Sequence, residues 1–335
     1  MPSARPITAA TLGSSPCAPE EALPRITPSL PLSILIVNTN SRDLLLGCLG
    51  SVRDTVEIPY EIIVVDNGST DGSVEALEHA RDVMLIANRF NNWFTGATNQ
   101  AILVSRGEFL LCLNPDTVLH AGAVDRLVAF LRENPRVAVV GPRLLNGDGT
   151  LQPSCRNFLT NRRLVLQHLL PWRRMPNSWR RHAVLEYWDH DSPCGVDWVI
   201  GACILVRRSA VEQIGLKDEG YPIFHEETDW CYRFRQAGWE TWFLSDALVT
   251  HFGSQTVSKL WGRGLVLQFY KGKHRFIRKH YGRNALLAHR LLLSGLLLAR
   301  LVRANLARLM GRPYAEIDVV QRALALQMGR GGGCE

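Results

Sequence analysis

EIIVVDNGSTDGS (residues 61–73) and FLLCLNPDT (residues 109–117) are the stretches that decide how this chain folds. Each is a run of β-branched and aliphatic residues stopped by Asn-Gly-Ser or Asn-Pro-Asp, the pattern of a strand buried on both faces in a parallel α/β sheet. Each also delivers an aspartate, Asp66 or Asp116, to the end of its strand. Open α/β sheets bind ligands outside the carboxyl ends of their strands, so two carboxylates arriving there are placed to handle a nucleotide and a metal. An aspartate before Gly, Ser or Thr is also ordinary turn chemistry, so either residue alone reads equally well as the start of a turn. The pair is what points to a site.

Working outward, SILIVNTN (33–40) reads as a first strand that leads into a helix near Asp43 to Val52. SVEALEHA, VMLIAN, TGATNQAILVS, EFLLCLN, AGAVDRLVAFLREN and VAVVGPRLL then alternate helices with strands, the signature of a mostly parallel sheet with helical crossovers. Between Asn146 and Asp191 the pattern lapses into Arg- and Trp-rich sequence, expected to be a functional loop or mobile cover. DWVIGACILVRRSAVEQIG (197–215) restores a strand and a helix. His225, Glu226, Glu227, Asp229 and Arg233 follow within nine residues, on a segment that reads as helix as far as Gly238. Asp229 and Arg233 are spaced to pair along one face, and the acids also complement the positive end of the helix dipole. One more strand, TWFLSDALVTHFGS, ends by presenting His251.

The 335 residues can bury a substantial core, and a composition of 46% hydrophobic and 21% charged residues is that of an ordinary globular protein. The formal charge of +7 is unevenly placed: residues 259 to 335 hold 15 Lys and Arg against Glu316, Asp318 and Glu335, which leaves the rest of the chain negative. An anionic partner is therefore expected at the C-terminal region. Eight cysteines are scattered with no spacing suited to zinc, and several sit in apolar runs, which favours a reducing compartment. Residues 1 to 30, rich in Ala, Pro, Ser and Thr, read as a disordered leader. From Phe269 the chain is helical and amphipathic, but its longest uncharged stretch, LLLSGLLLA, has nine residues where a membrane span needs about 20. The expectation is a helix on an anionic membrane surface with Leu291, Leu292, Leu296 and Leu297 inward; the alternative is a helix packed on the protein's own core. The region holds no recognisable module for reading nucleic acid, so no nucleic-acid partner is expected.

In order, SILIVNTNSRD, EIIVVDNGSTDGS, NNWFTGATNQAI, LNPDT, DWVIGACILVRR, HEETDWCYRFRQAGW and the terminal His251 resemble the motif series of family 2 glycosyltransferases, over roughly Ser33 to Gly282. The combination of Asn-Pro-Asp, Gly-Ala-x-x-x-x-Arg and Glu-Glu-x-Asp-Trp-Cys-x-Arg is similar to bacterial rhamnosyltransferases that build cell-surface polysaccharides. The resemblance implies an inverting enzyme of GT-A fold: α/β, a Rossmann-like, mostly parallel mixed sheet flanked by helices, with a helical basic C-terminal extension. Its nucleotide-sugar half would run from about 31 to 145, its acceptor half from 146 to 258, and the extension from 259 to 335.

The resemblance also assigns roles. Asp66 would contact the nucleobase, bordered by Thr39 and Asn40, while Gly96, Ala97 and Asn99 would allow close approach of the nucleotide. Asn114 and Asp116 stand where many relatives have Asp-x-Asp; Asp116 and His251 would hold a divalent cation, Mg²⁺ or Mn²⁺. The missing carboxylate implies a weakly held ion supported largely by diphosphate and water. Glu227 would be the base that deprotonates the acceptor hydroxyl, with Glu226 second, and Asp229 would pair with Arg233 and hold the helix. Trp198, Gly201 and Arg207 would lie on the acceptor side, and the basic stretch 271–283, with Lys271, Lys273, Arg275, Arg278 and Lys279, would meet a lipid-linked diphosphate acceptor or lipid headgroups. The expected activity is transfer of rhamnose from dTDP-rhamnose to a lipid-linked saccharide, peripheral on the cytoplasmic face of the cell membrane. A UDP- or GDP-hexose donor, or a non-catalytic sugar-nucleotide-binding protein, are the alternatives.

Overall fold

The apolar runs read as strands meet in one ten-stranded mixed sheet. The computed structural model describes residues 27–170, 172–253, 265–309 and 317–327. Most of the expected leader, together with Cys17 and Cys334, lies outside the described residues. In chain order the elements are β1 (Leu30–Asn38), α1 (Arg42–Thr55), β2 (Tyr60–Asp66), α2 (Ser73–Leu77), β3 (Val83–Ala87), α3 (Trp93–Val104), β4 (Gly107–Leu113), β5 (Thr117–Leu119), α4 (Ala123–Glu133), β6 (Val137–Leu145), β7 (Leu151–Gln152), β8 (Cys155–Arg156), α5 (Asn161–Leu169), α6 (Asn177–Ala183), β9 (Cys194–Val196), β10 (Trp198–Val199), β11 (Cys203–Arg207), α7 (Arg208–Ile214), α8 (Glu226–Gln236), β12 (Glu240–His251), α9 (Leu265–Leu309) and α10 (Ile317–Gln327).

They divide into two compact units. Within the described residues, the first takes in 27–158, 175–222 and 226–253; the second takes in 159–170, 172–174, 223–225, 265–309 and 317–327. The first unit carries the sheet in the order β3-β2-β1-β4-β11-β6-β12-β5. β1 to β4 run parallel, β11 is antiparallel to both neighbours, and β12 returns parallel to β6. Ile34, Ile36, Ile62, Val64, Phe109 and Leu111 are buried with α1 residues Leu45, Cys48, Leu49 and Val52 in one cluster. The i, i+3, i+4, i+7 spacing of those four gives α1 its single apolar stripe. Each such Leu, Val or Ile stabilises the fold by about 1.5–3 kcal/mol when fully buried.

Two expectations change. The Arg-rich stretch after Asn146 contains α5, α6 and two short 3₁₀ turns at Trp172–Arg174 and Leu185–Tyr187. Its helical periodicity is hidden because arginines serve as internal hydrogen-bond donors there: Arg180 donates to Tyr187 O at 2.5 Å, and Arg181 to Ser192 Oγ at 3.0 Å and Pro193 O at 2.9 Å. The C-terminal leucines also divide differently. In the second unit Leu297, with Leu293, is buried against Leu164 of α5 and Val320 and Ala323 of α10, and Leu292 and Leu296 pack on the same cluster. Of the four leucines assigned to a membrane face only Leu291 is exposed; it lies with Leu287, Leu298, Val302 and Leu306 along the outer side of α9. The Arg290 guanidinium is turned onto Gln327 O (2.6 Å) and Leu326 O (3.2 Å), so its charge does not interrupt that apolar side. By length and composition alone, Leu267–Leu306 is apolar enough to cross a membrane. Gly282, at φ 86, breaks the helical geometry within α9.

Candidate active site

Register brings Asp66, Asp116, Gly201 and His251 of the first unit to one edge. Asn38 pairs with Asp66 at the ends of β1 and β2, Leu113 of β4 pairs with Cys203 at the start of antiparallel β11, and β12 ends at His251 opposite Thr117. Because β6 and β12 run the same way as β4, the carboxyl ends of β1, β2, β4 and β12, and the residues before β11, share that edge.

Asp66 is fully buried and already bonded. Its Oδ2 accepts from Asn38 Nδ2 (2.8 Å) and Ser69 Oγ (2.7 Å), and its Oδ1 accepts from Ser69 N (2.8 Å). Asn38, which motif reasoning passed over, leaves its own Oδ1 buried without a hydrogen-bond partner. Thr39 is half-buried and Asn40 exposed; Asn40 takes a left-handed φ of 48, donates to Ser69 Oγ (2.8 Å) and accepts from Thr70 N (2.8 Å), zipping the two turns together.

Gly96, Ala97 and Asn99 are buried in α3. A Cβ at Gly96 would lie 2.8 Å from Asn92 Nδ2, so the glycine makes room for a protein side chain. Asn99 holds the chain before α8: its Oδ1 accepts from Lys217 N (3.1 Å), and its Nδ2 donates to Lys217 O (2.9 Å) and Glu219 Oε1 (3.0 Å). Gly96 and Asn99 thus make protein contacts from α3.

Asp116 and His251 do meet. Asp116 Oδ1 and His251 Nε2 are 3.3 Å apart, both residues buried. His251 Nδ1 lies 2.7 Å from Gln152 Oε1, and Nε2 has no hydrogen-bond partner. A proton on Nδ1 donated to Gln152 leaves the Nε2 lone pair beside a carboxylate, the arrangement of a histidine ready to bind a cation. Among the described residues no three His, Cys, Asp or Glu converge, so a cation there would need further oxygen ligands. Asn114 is half-buried; its amide donates to Ala202 O (2.9 Å), linking the Asn-Pro-Asp turn to the strand that follows Gly201.

Glu226 and Glu227 open α8 and are both buried. The Glu226 carboxyl is pushed up by burial and next by the charge of Glu227, with Lys217 acting in the opposite direction, so Glu226 is neutral where an ordinary glutamate is ionised. Glu226 Oε2 and Glu227 Oε2 are both buried with no hydrogen-bond partner. A Cβ at Gly201 would sit 3.9 Å from the Glu227 carboxyl, which places Gly201 against the pair. Asp229 pairs with Arg233 as its spacing implied: it is fully buried and accepts from Arg233 Nε at 2.9 Å, while Arg233 also donates to Ile214 O (2.8 Å) and Leu216 O (2.5 Å). Lys217, missed by motif reasoning, is buried with its Nζ 5.0 Å from the Phe94 ring and 5.5 Å from the Trp230 ring. His225 belongs to the second unit, where its ring lies 4.8 Å from Phe269 and burial pushes its imidazole down to about 3.

The acceptor-side expectations separate. Gly201 is at the edge; Trp198 is buried with Nε1 donating to Asn157 O (3.1 Å), which makes it core. Arg207 is at the far end of β11, paired with Phe109, and its guanidinium donates to Val137 O (3.0 Å), Asn134 O (3.2 Å) and Leu131 O. The His182–Asp191 segment likewise contains a structural pin. His190 is fully buried, stacked on Trp188, and its Nε2 accepts from Ser154 N (3.2 Å) and Cys155 N (3.1 Å). The six described cysteines are free, and burial raises the Cys48 and Cys231 thiols to about 12, which keeps them protonated.

Comparison with known proteins shows the family and the fold. The model of the family described as "Glycosyl transferase family 2" matches residues 33–215. The chain is 29% identical over 226 residues, 63% of its length and 72% of the relative's, to "N-acetylglucosaminyl-diphospho-decaprenol L-rhamnosyltransferase" of Mycobacterium tuberculosis H37Rv. It is 26% identical over 212 residues, 61% of its length and 62% of the relative's, to "Low-salt glycan biosynthesis hexosyltransferase Agl10" of Haloferax volcanii. Among solved structures, mannosyltransferase PcManGT of Pyrobaculum calidifontis, in complex with GDP-Man and Mn²⁺, superposes with a TM-score of 0.54 at 16% identity, covering 94% of this chain and 86% of that one.

Proposed function

Starting from the fact that the chain belongs to glycosyl transferase family 2, we propose that it transfers a deoxyhexose, rhamnose from dTDP-rhamnose, with inversion onto a lipid-linked saccharide. The observation that carries this reading is the Asp116–His251 pair at the carboxyl edge, 3.3 Å apart with the His251 tautomer set by Gln152. It is what a diphosphate leaving group requires of a protein that supplies few carboxylates. A divalent cation bound there, with diphosphate and water as its remaining ligands, offsets the charge that develops as the glycosidic bond breaks. Glu227 accepts the proton of the acceptor hydroxyl through its unpartnered Oε2, and neutral Glu226 leaves the charge of the pair on Glu227. The rhamnosyl donor and lipid-linked acceptor are carried over from the mycobacterial relative named above. The membrane reading rests on the exposed Leu287, Leu291, Leu298, Val302 and Leu306 and on the basic balance of the C-terminal region. In this reading the enzyme works at the cytoplasmic face of the membrane, as the resemblance to bacterial rhamnosyltransferases implies.

The test is calorimetric titration of dTDP-, UDP- and GDP-sugars with and without Mg²⁺ or Mn²⁺, on wild type and Asp116→Asn, followed by product analysis at the anomeric carbon. Cation-assisted binding of a dTDP-sugar that weakens in Asp116→Asn supports the proposal. Preference for a UDP- or GDP-hexose replaces the donor and keeps the chemistry; retention at the anomeric carbon overturns the mechanism. Sugar-nucleotide binding without transfer to any lipid-linked saccharide would favour a non-catalytic binding protein.

A further inference from the structure

Arginine supplies most of the cations in this chain. Of 38 Lys and Arg only five are lysines, and Lys217 is the only lysine before residue 259. It is buried in the loop between α7 and α8. Asn99 pins its backbone from α3, meeting both Lys217 N and Lys217 O. The Nζ lies 5.0 Å from the Phe94 ring, at the start of α3, and 5.5 Å from the Trp230 ring of α8, and it makes no hydrogen bond. Trp230 is held in turn by donating Nε1 to Gly215 O at 3.1 Å. Ring faces are negative, so an aromatic slot offsets part of the cost of burying an ammonium; a charge taken out of water also needs an anion.

Two carboxyls stand beside it. Trp230 follows Glu226 by four residues and Glu227 by three, so the ring under Lys217 is a neighbour of both along α8. The charge of Lys217 reaches the Cys112 thiol together with that of Glu226, and the Cys231 thiol together with that of Glu227. Lys217 Nζ, Glu226 Oε2 and Glu227 Oε2 are all buried without a hydrogen-bond partner, so what joins these three atoms is charge.

We propose that Lys217 is a positioning residue for the base: its ammonium holds one negative charge on the Glu226–Glu227 pair, so that Glu227 is ionised when the acceptor hydroxyl arrives. The proposal rests on the assignment of Glu227 as base above and adds what keeps that base charged. Two carboxyls this close ionise one at a time, because the second charge repels the first. Burial opposes even the first charge, and a fixed cation shielded from water opposes the burial. The other titratable groups around the pair do not do this. Arg156 of β8 acts on Glu186 more strongly than on Glu227. Burial raises the Cys112 and Cys231 thiols, which stay neutral, and pushes His225, the residue before Glu226, down to about 3, so its imidazole is uncharged at neutral pH.

The test follows the side-chain carboxyl carbons of glutamate by NMR in the full chain from pH 5 to 9, on wild type, Lys217→Met and Lys217→Arg. Glu226→Gln and Glu227→Gln assign the two signals, and release of dTDP from dTDP-rhamnose is measured over the same range. An opposite charge at close range lowers a carboxyl by about 1–3 pH units. Lys217→Met should therefore move the first ionisation of the pair up by about 1 unit or more and carry the acid limb of dTDP release with it, so that activity falls about 10-fold on that limb and recovers above it. Lys217→Arg keeps the charge and should titrate as wild type does. A lysine that only fills space would leave the carboxyl titration in place and lower activity equally at every pH, which would overturn the proposal. A titration that moves while dTDP release keeps its pH profile upholds the charge on the pair and removes Glu227 as base. If wild type releases no dTDP, the donor reading falls and the carboxyl titration alone decides. Coupling is reciprocal, so Glu226→Gln/Glu227→Gln gives the same answer where Lys217→Met does not fold: the ε-carbon signal of Lys217, one of five lysine signals, should titrate at lower pH than in wild type, and an unchanged signal would refute the coupling.

Discussion

Acid should loosen the first unit through His190, and the size of the effect follows from its surroundings. Nε2 accepts two backbone amides, from Ser154 and Cys155, while Nδ1 lies 2.7 Å from Trp188 O. A ring that accepts at one nitrogen and donates at the other must be neutral, and protonating Nε2 breaks both amide bonds at once. Burial pushes the His190 pKa from the ordinary 6.5 down to about 4, with nearby Arg156 adding to the effect and the hydrogen bond to Trp188 opposing it. Between these two values the unfolded chain binds a proton that the folded one does not, so stability is fully present above pH 6.5 and is lost as pH falls toward 4. At about 1.4 kcal/mol per pH unit the loss is on the order of 3 kcal/mol at pH 4. Urea unfolding of wild type and His190→Gln from pH 4.5 to 7.5 isolates it. His225 and His289 are also pushed down by burial and contribute to the decline in both proteins, so the signal is the difference between the two curves. The curves should converge as pH falls, because glutamine does not titrate. Parallel curves would refute the reasoning. The consequence reaches the site, since Ser154 O accepts from Ile200 N (3.0 Å) and β8 pairs with β10, immediately before Gly201 and the glutamate pair.

Other expected outcomes are as follows. Glu227→Gln should lower transfer about 10²- to 10⁴-fold, the range for a positioned acid–base group, while sugar-nucleotide affinity in calorimetry stays at the wild-type level; near-normal turnover would exclude Glu227 as the base. His251→Ala should raise the Mn²⁺ concentration needed for half-maximal transfer, and Gln152→Leu should do so to a lesser degree because Gln152 only fixes the tautomer; no change in either would remove His251 from the cation site. Asp229→Ala leaves Arg233 beside a buried void without its partner and should cost about 3–5 kcal/mol in urea unfolding; a small loss would mean that the pair does not hold α8. Replacing Leu298 and Val302 with Ser should reduce flotation with anionic vesicles and leave the thermal midpoint unchanged, because both side chains are exposed; undiminished flotation would locate membrane contact elsewhere.

Much of this protein was determined by local pattern. The apolar runs before Asp66 and Asp116 required buried parallel strands, and the alternation of periods made the fold legible as α/β with both aspartates at one edge. The i, i+4 spacing of Asp229 and Arg233 already implied their pairing. Tertiary structure decided which polar groups were left over for a ligand. Asp66 and Asn99, expected to contact the nucleotide, are also held by Asn38, Ser69, Lys217 and Glu219, the more distant of them 28 to 120 residues away. Arg207 looked equivalent to Gly201 along one strand, yet the direction of β11 carries it to the opposite end of the sheet. Gln152, Lys217 and His190 carry no motif at all. Their importance comes from burial and from partners far along the chain, and strand and helix spacing reports only on neighbours within a few residues.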